Sequence, residues 1–391
     1  MTLAANDRSI AYVAILFVLV FFMNGGVLVP YVKQWIEENG DEWYPRLYEK
    51  YRIGAVEDSG LVSLKYNQIE SPMHEPIVQE CRGMVVDLDT RQVVCHPYNK
   101  FWNLGESLAA PIDWGTARVQ DKLDGSLMLL YFHGGQWQVA SSGSPRAGGS
   151  YGVEAIKFAD KFWQVFYANG MILPETGSED VGFFFELCAP DNRIVVVYEQ
   201  AALILHGARD RVTENEMSRG DLEKFAARHF WPIVNEHPLR TPEEVDAAVK
   251  ALDPVKSEGF IVVDDRCRRV KIKSPRYVAL HHLRDRTTPS AVIALWKAGE
   301  VDELLSYFPE HRANVTAMVC RLETACRDAF EAYRANRDAP TRREYAEAVK
   351  GRVWSPIAFR LLDNKSESFD DALAILRASL DVLAEKILEA R

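Results

Sequence analysis

Apolar residues between positions 29 and 51 recur at helical spacing, with Trp35, Ile36, Trp43, Leu47 and Tyr48 as anchors, and this predicts an amphipathic helical segment. From residue 80 to 132 the pattern becomes strand-like. Residues 83–88, a polar turn at Asp89-Thr90 and residues 92–95 predict one hairpin. Residues 127–132, Gly134-Gly135 and residues 137–140 predict a second. The glycine- and serine-rich stretch 141–150 predicts a loop, and 152–169 an amphipathic helix carrying Ile156, Phe158, Phe162 and Phe166. Apolar runs at 183–187, 194–198 and 201–206 predict three strands, 218–229 and 241–252 two helices, and 259–264 with 270–273 a last hairpin. Beyond about residue 287 the alternating pattern ends. Val292, Ile293, Leu295, Trp296, Val315, Met318, Leu322 and the stretch 373–388 have helical spacing, with Pro289, Pro309 and Pro340 marking turns.

The pattern therefore reads as a strand-rich body followed by an all-helical C-terminal domain. A length of 391 residues suits about two domains, and 48% hydrophobic with 26% charged residues describes a folded chain. One segment stands apart. Residues 10–23 are almost wholly apolar, and no charge occurs between Arg8 and Lys33. Two readings fit residues 1–23: a single N-terminal membrane anchor, or an over-extended reading frame whose natural start is Met23. We favour the second, because the remainder reads as a complete enzyme.

Charge and cysteine content narrow the chemistry. A net charge of −10 counts against bulk electrostatic attraction to nucleic acid, but leaves room for a basic groove on an acidic body. The six cysteines form no C-x-x-C pair, which suits reduced thiols in a cytoplasmic protein. His281-His282 has no second ligand cluster, so a zinc site is not expected.

The candidate chemistry centres on Lys122-Leu123-Asp124-Gly125-Ser126, between the strand-like 116–119 and the apolar run 127–132. A lysine at a strand end, held by a glycine turn, can be aimed into a cleft as a nucleophile. Taken alone, the pentapeptide is equally an ordinary Asp-Gly turn. Farther on, Lys271 and Lys273 alternate along a strand, so both ammoniums fall on one face while Val270 and Ile272 face the core. Such a pair can clamp phosphate oxygens; a solvated edge strand is the alternative.

Several short segments line up in one order. Cys81-Arg82-Gly83 precedes Lys100-Phe101-Trp102-Asn103, and Lys122-Leu123-Asp124-Gly125 follows. Then come Phe183-Phe184-Phe185-Glu186-Leu187, Asn192-Arg193-Ile194-Val195, Glu258-Gly259-Phe260-Ile261-Val262 and Val270-Lys271-Ile272-Lys273. Over about residues 82–282 this order and spacing resembles the nucleotidyltransferase motifs of covalent ligases and capping enzymes. Within that superfamily the surrounding words are similar to the T4 RNA ligase 1 family.

The resemblance implies an α+β fold: a nucleotidyltransferase (adenylation) domain of antiparallel sheets with helices at 24–284, then a helical domain at 285–391. It implies an ATP-dependent RNA ligase that works through a lysyl-AMP on Lys122, with Lys271 and Lys273 also catalytic, in RNA or tRNA repair. Arg82, Lys100, Asp124, Gly125, Glu186 and Glu258 are then expected at the nucleotide, Glu258 also at a Mg²⁺ or Mn²⁺ ion, and Phe184 or a neighbour at the adenine. Expected partners are RNA 5′-phosphate and 3′-hydroxyl ends, cleaved tRNA among them, with no obligate protein partner and a monomeric chain. The basic residues Arg286, Arg312, Arg321, Arg327, Arg342 and Arg343 of the helical domain are candidates for phosphate contacts. One departure stands out: where family members carry a lysine after the second hairpin, this chain has Ser142, with Arg146 nearby. The rival readings are a DNA ligase, a capping guanylyltransferase and a catalytically silent RNA-binding protein. No barrel of oligonucleotide-binding type is evident after Lys273, where the first two would carry one.

Overall fold

The computed structural model describes residues 29–151, 156–284, 287–364, 368–379 and 381–389. Residues 1–23 and Arg286 lie outside them. Among the described residues no helix is long and apolar enough to cross a membrane. The chain divides into two units, one ending at Tyr277 and the other beginning at Val278.

The first unit is built from three main sheets. Strands β1 (Ile53–Asp58), β2 (Leu61–Tyr66), β3 (Arg82–Asp87) and β4 (Val93–Cys95) form an antiparallel sheet in that order. The helices Tyr31–Asn39 and Trp43–Tyr51 bury Val32, Ile36, Trp43 and Leu47 in one core with Ile53, Val62, Leu64, Met84 and Val86 of that sheet. Tyr48, expected as an anchor, is 54% exposed, because the buried stripe passes through Trp43 and Leu47. The β1–β2 hairpin was not expected: past Ile53, β1 is largely solvent-facing and shows no alternation. At its turn Ser59 and Gly60 both take positive φ (50° and 80°), the demand of a two-residue hairpin turn.

The remaining strands are β5 (Trp102–Asn103), β6 (Arg118–Lys122), β7 (Ser126–His133), β8 (Gln136–Ser141), β9 (Ser150–Tyr151), β10 (Ile156–Lys157), β11 (Val181–Cys188), β12 (Ala202–Asp210), β13 (Glu236–His237), β14 (Gly259–Val263) and β15 (Arg269–Lys273). The second sheet has the order β12-β11-β7-β8. Met128, Leu130, Phe183 and Phe185 on one face pack with Phe162, Val165 and Phe166 of the helix Phe158–Ala168. Leu129, Tyr131 and Phe184 on the other meet Val85, Cys95 and Tyr98. The third sheet runs β13-β6-β14-β15-β5, with β5 parallel to β15 and the other pairs antiparallel. Val119, Phe260, Val262 and Val270 cover Val245 and Val249 of the helix Pro242–Ala251. Ser218 and Thr241 cap the helices Arg219–His229 and Pro242–Ala251 by accepting from Asp221 N and Glu244 N.

Two expectations fail here. The helix expected over 152–169 begins at Phe158; Ser150–Tyr151 and Ile156–Lys157 pair as a short ladder instead. The strand expected over 194–198 is irregular, because its backbone donors are engaged elsewhere, as described below.

The second unit carries no strand among its described residues. Its long helix Arg312–Asn336 presents Leu322, Cys326 and Ala329 to a core shared with Trp296, Tyr345, Leu361 and Leu376 from other helices. Of the arginines expected at phosphates, Arg342 makes a two-bond pair with Asp363 and Arg327 lies over the Phe369 ring.

Candidate active site

Lys122 closes β6 in the third sheet and Ser126 opens β7 in the second, so Leu123-Asp124-Gly125 steps from one sheet to another. Asp124 secures that step. It is 2% exposed, and its Oδ2 accepts from the N–H groups of Val195 (2.9 Å) and Val196 (2.8 Å). Its Oδ1 accepts from the Tyr277 hydroxyl at 2.7 Å, and its own N–H donates to the Tyr198 hydroxyl. A buried carboxylate is tolerated when donors surround it in this way. These bonds hold 195–196 out of any strand. Asp124, expected at the nucleotide, does not itself line the cavity described below; it clamps the turn that presents Lys122. A Cβ at Gly125, also expected at the nucleotide, would stand 2.4 Å from the Leu187 carbonyl oxygen, so glycine allows the turn to approach strand β11 closely.

Strand register brings Lys122 to its partners. Gly259 of β14 is opposite Lys122 of β6 on one side and Lys273 of β15 on the other. A Cβ on Gly259 would lie 2.1 Å from the Ile272 carbonyl oxygen, at a φ of +152°, so only glycine fits. Glu258, the next residue back, is 3% exposed. Its Oε2 accepts from Lys122 Nζ at 2.7 Å and its Oε1 pairs with Lys273 Nζ at 2.9 Å. Glu258 was expected at nucleotide and metal; in this structure both of its oxygens hold ammoniums. Among the described residues no cluster of three or more His, Cys, Asp or Glu could hold a metal ion.

Lys122 faces a cavity of about 290 Å³ walled by residues of all three sheets. Six cations line it among the described residues: Arg82, Lys100, Lys122, Arg269, Lys271 and Lys273. Two carboxylates join them, Asp121 and Glu186. Lys271 and Lys273 do share a face, as their alternation predicts, and the same period of two adds Arg269. Burial, then repulsion from Lys100, Lys122 and Lys273, pushes the Lys271 ammonium down to a pKa of about 8. Its position is secured by the parallel register of Lys271 with Asn103, which brings the Lys100-Phe101-Trp102 segment alongside β15.

Opposite the cations, Glu186 of β11 is pushed up to about 7 by burial, against the pull of Lys122 and Arg82. His206 Nε2 lies 3.9 Å from Glu186 Oε2. Burial, followed by the Arg82 and Arg269 charges, lowers His206 to about 3, so the imidazole is neutral. Arg82 rests over the Phe101 ring at 5.0 Å, and burial lowers its pKa. Lys100 is flanked by the rings of Tyr66 (4.9 Å) and Trp102 (5.6 Å). Arg269 makes a two-bond pair with Glu216 and lies 3.9 Å over the Tyr98 ring. Phe101, Leu127 and Ile261 give the cavity an apolar side.

Sequence reasoning missed Tyr66, Tyr98, His206 and Arg269. Strand alternation alone could have found Arg269. Tyr98 depends on a distant glycine: a Cβ on Gly207 would overlap its hydroxyl at 1.6 Å. Phe184, expected at the adenine, is buried beneath Tyr98, edge to face at 4.9 Å. Asn192 donates to Ser126 Oγ and Arg193 to the Val195 carbonyl oxygen, so both brace the loop near the turn. Neither Ser142 nor Arg146 lines the cavity. Ser142 packs on Gly83, where a Cβ would come within 2.9 Å of its Cα.

This arrangement can hold a polyanion against a lysine amine, with Phe101, Leu127 and Ile261 offering apolar contact to the group that carries it. Comparison with known proteins agrees with that chemistry. Residues 80–277, just over half the chain, match the RNA ligase family typified by T4 RNA ligase 1. A protein of Autographa californica nuclear polyhedrosis virus, named as a bifunctional polynucleotide kinase/RNA ligase, is 25% identical over 348 residues, covering 82% of this chain and 48% of that protein. The RNA ligase of Rhodothermus phage RM378 is 25% identical over 287 residues, 58% of this chain and 65% of that one. The chain thus spans about half to two thirds of the length of these relatives. Among solved structures, an archaeal ATP-dependent RNA ligase aligns over 89% of this chain and 88% of its own, with a TM-score of 0.45 and 13% identity.

Proposed function

The chain belongs to the RNA ligase family, and from that membership we propose that it seals RNA ends with ATP, carrying AMP on Lys122. The observation that most supports this is the Lys122 amine on the wall of a cavity with five other cations, held by Glu258.

Three steps follow. Lys122 Nζ, having passed a proton to solvent, attacks the α-phosphorus of ATP; the bond from that phosphorus to the bridging β-phosphate oxygen breaks and pyrophosphate leaves. An oxygen of an RNA 5′-phosphate then attacks the same phosphorus, the P–N bond breaks, and the amine recovers a proton. Last, a 3′-hydroxyl attacks the 5′-phosphorus, AMP leaves, and the hydroxyl proton passes to solvent. Lys271, Lys273, Lys100 and Arg82 would bind phosphate oxygens and offset the charge that develops in transfer. The aromatic and aliphatic side of the cavity suits adenine. Mg²⁺ or Mn²⁺ would arrive on the triphosphate, taking most of its ligands from phosphate oxygens and water, with Glu186 and Asp121 as the carboxylates on the cavity wall that could meet it. When bound, such an ion neutralises phosphate charge. A cleaved tRNA is one substrate of the required chemistry.

The test is incubation with ATP or GTP labelled at the α-phosphate, with Mg²⁺, followed by denaturation. Label on the protein from ATP only, acid-labile and lost in Lys122→Ala, is expected. Label from GTP would favour a capping enzyme, and no covalent label at all would sink the proposal.

A further inference from the structure

A second cavity, of about 210 Å³, lies within the first unit beside the one that holds Lys122. Tyr98, Lys100, Phe101 and Arg269 line both, so the two share a wall that bears two cations. Beyond that wall the second cavity presents the Trp102 indole, with Leu108 at its rim. Nothing in the three-step chemistry above uses it.

We propose that this cavity receives the 5′-terminal nucleoside of the RNA strand that takes AMP from Lys122. The inference rests on the ligase reading and extends it to the placement of one strand. A 5′-phosphate in position to attack the α-phosphorus leaves its nucleoside one phosphate away from the bound adenylate. Of the two strands in a ligation, only this one is joined to the adenylate through phosphates. A cationic wall between two neighbouring cavities matches that connectivity: adenylate on one side, phosphate against Lys100, nucleoside beside Trp102. Lys100 is already held in place by the Tyr66 and Trp102 rings.

The cavity's polar groups say how a base would be read. Gln79 donates its amide N–H to the Met73 carbonyl oxygen, Asn99 Oδ1 is bonded to His96, and Arg268 is paired with Asp264. Each of these contacts occupies one polar atom of its residue, and the Glu216 carboxylate on the same wall is held by Arg209 and Arg269; the Trp102 ring is the face on which a base can stack. Stacking tolerates any base, since every base has a π-face.

Leu108 is 39% exposed at the rim, so Leu108→Trp fills the cavity without disturbing a core. Self-adenylation with ATP should stay within about twofold. AMP transfer to a 5′-phosphorylated dinucleotide should show a KM raised about tenfold or more, with kcat changed much less. A second measurement needs no turnover. Cys267 lines this cavity and is exposed. The 5′-phosphorylated dinucleotide should slow its alkylation by N-ethylmaleimide, while the exposed Cys320 of the other unit stays reactive and a 5′-hydroxyl dinucleotide protects neither. An unchanged donor KM together with an unprotected Cys267 overturns the inference. So does a defect confined to the KM of the 3′-hydroxyl strand on a pre-adenylated donor, which would hand the cavity to the acceptor. Failure of the wild-type chain to self-adenylate overturns the ligase reading instead, and Cys267 protection still decides the cavity.

Discussion

The Lys122 ammonium is held 2.7 Å from a carboxylate oxygen of Glu258, a residue 136 positions farther along the chain and only 3% exposed. The same carboxylate holds Lys273 at 2.9 Å, so one buried acid fixes two cations of the cavity.

Glu258→Gln should therefore release both lysines and leave two neighbouring ammoniums without their shared counter-charge. Removing one partner of a buried pair costs roughly 3–5 kcal/mol, and Lys122 and Lys273 are partly solvated, so about 1–3 kcal/mol is expected here. Urea unfolding checks this. Self-adenylation should fall on the order of 10²-fold, the size seen when one electrostatic contact to a transition state is lost. A variant with wild-type adenylation would show that the pair has no catalytic part.

If the cation cluster binds ATP as proposed, the binding should depend on pH. Lys271 has its pKa lowered to about 8, so its charge is present below that pH and lost above it. The KM for ATP should rise as pH passes 8. Lys271→Arg keeps the charge across this range and should flatten the profile, though the guanidinium fork will not reproduce the ammonium contacts fully. Initial rates of self-adenylation between pH 6.5 and 9.5 give the measurement; parallel profiles for the two proteins would contradict it.

Glu186 predicts a gain in stability joined to a loss of function. Its folded pKa of about 7 lies above the ordinary 4.5, so the folded state keeps the proton longer than the unfolded chain. Stability from this group is full below about pH 4.5 and falls as pH rises through 7. Glutamine imitates the protonated acid. Glu186→Gln should match the parent at pH 4 and exceed it at pH 8, by at most about 3 kcal/mol at 1.4 kcal/mol per pKa unit. Adenylation should drop in the same protein. Thermal melts at the two pH values test the sign.

Asp124 offers a positioning test. Asp124→Ala removes the acceptor for the donors of Val195, Val196 and Tyr277, and each buried donor left unmet costs about 1–3 kcal/mol. Tyr277→Phe breaks one of these bonds and should cost about 1 kcal/mol. In the milder Tyr277→Phe variant the KM for ATP should hold while kcat of self-adenylation declines, since the cavity wall survives and the Lys122 turn loosens. An altered KM with normal kcat would place Tyr277 in binding instead.

Much of the architecture was readable before any coordinates. The hairpins around Asp89-Thr90 and Gly134-Gly135, and the helical run after residue 287, carry their signals within a few residues of themselves. The hairpin at Ser59-Gly60 was hidden because β1 has little buried surface, and so no alternation to detect. The strand expected at 194–198 was misread for the opposite reason. Val195 and Val196 are buried, but Asp124 takes the backbone donors that a ladder would need. Tyr48 was misjudged because helical spacing allows two adjacent stripes and only the packing partner selects one.

The candidate site divides along the same line. A period of two in a strand places Lys271, Lys273 and Arg269 on one face whatever surrounds them, because the pleat is a property of the backbone. The kinds of residue at Lys122 to Gly125 likewise announce a turn. Which groups those side chains meet could not be read from their own neighbourhoods. Gly259 lies between Lys122 and Lys273 through the register of three strands, and Asp124 meets Tyr277 across 153 positions. Such pairings follow from how sheets bury their faces against one another. Burial is shared among residues far apart in the chain, so no local pattern encodes it.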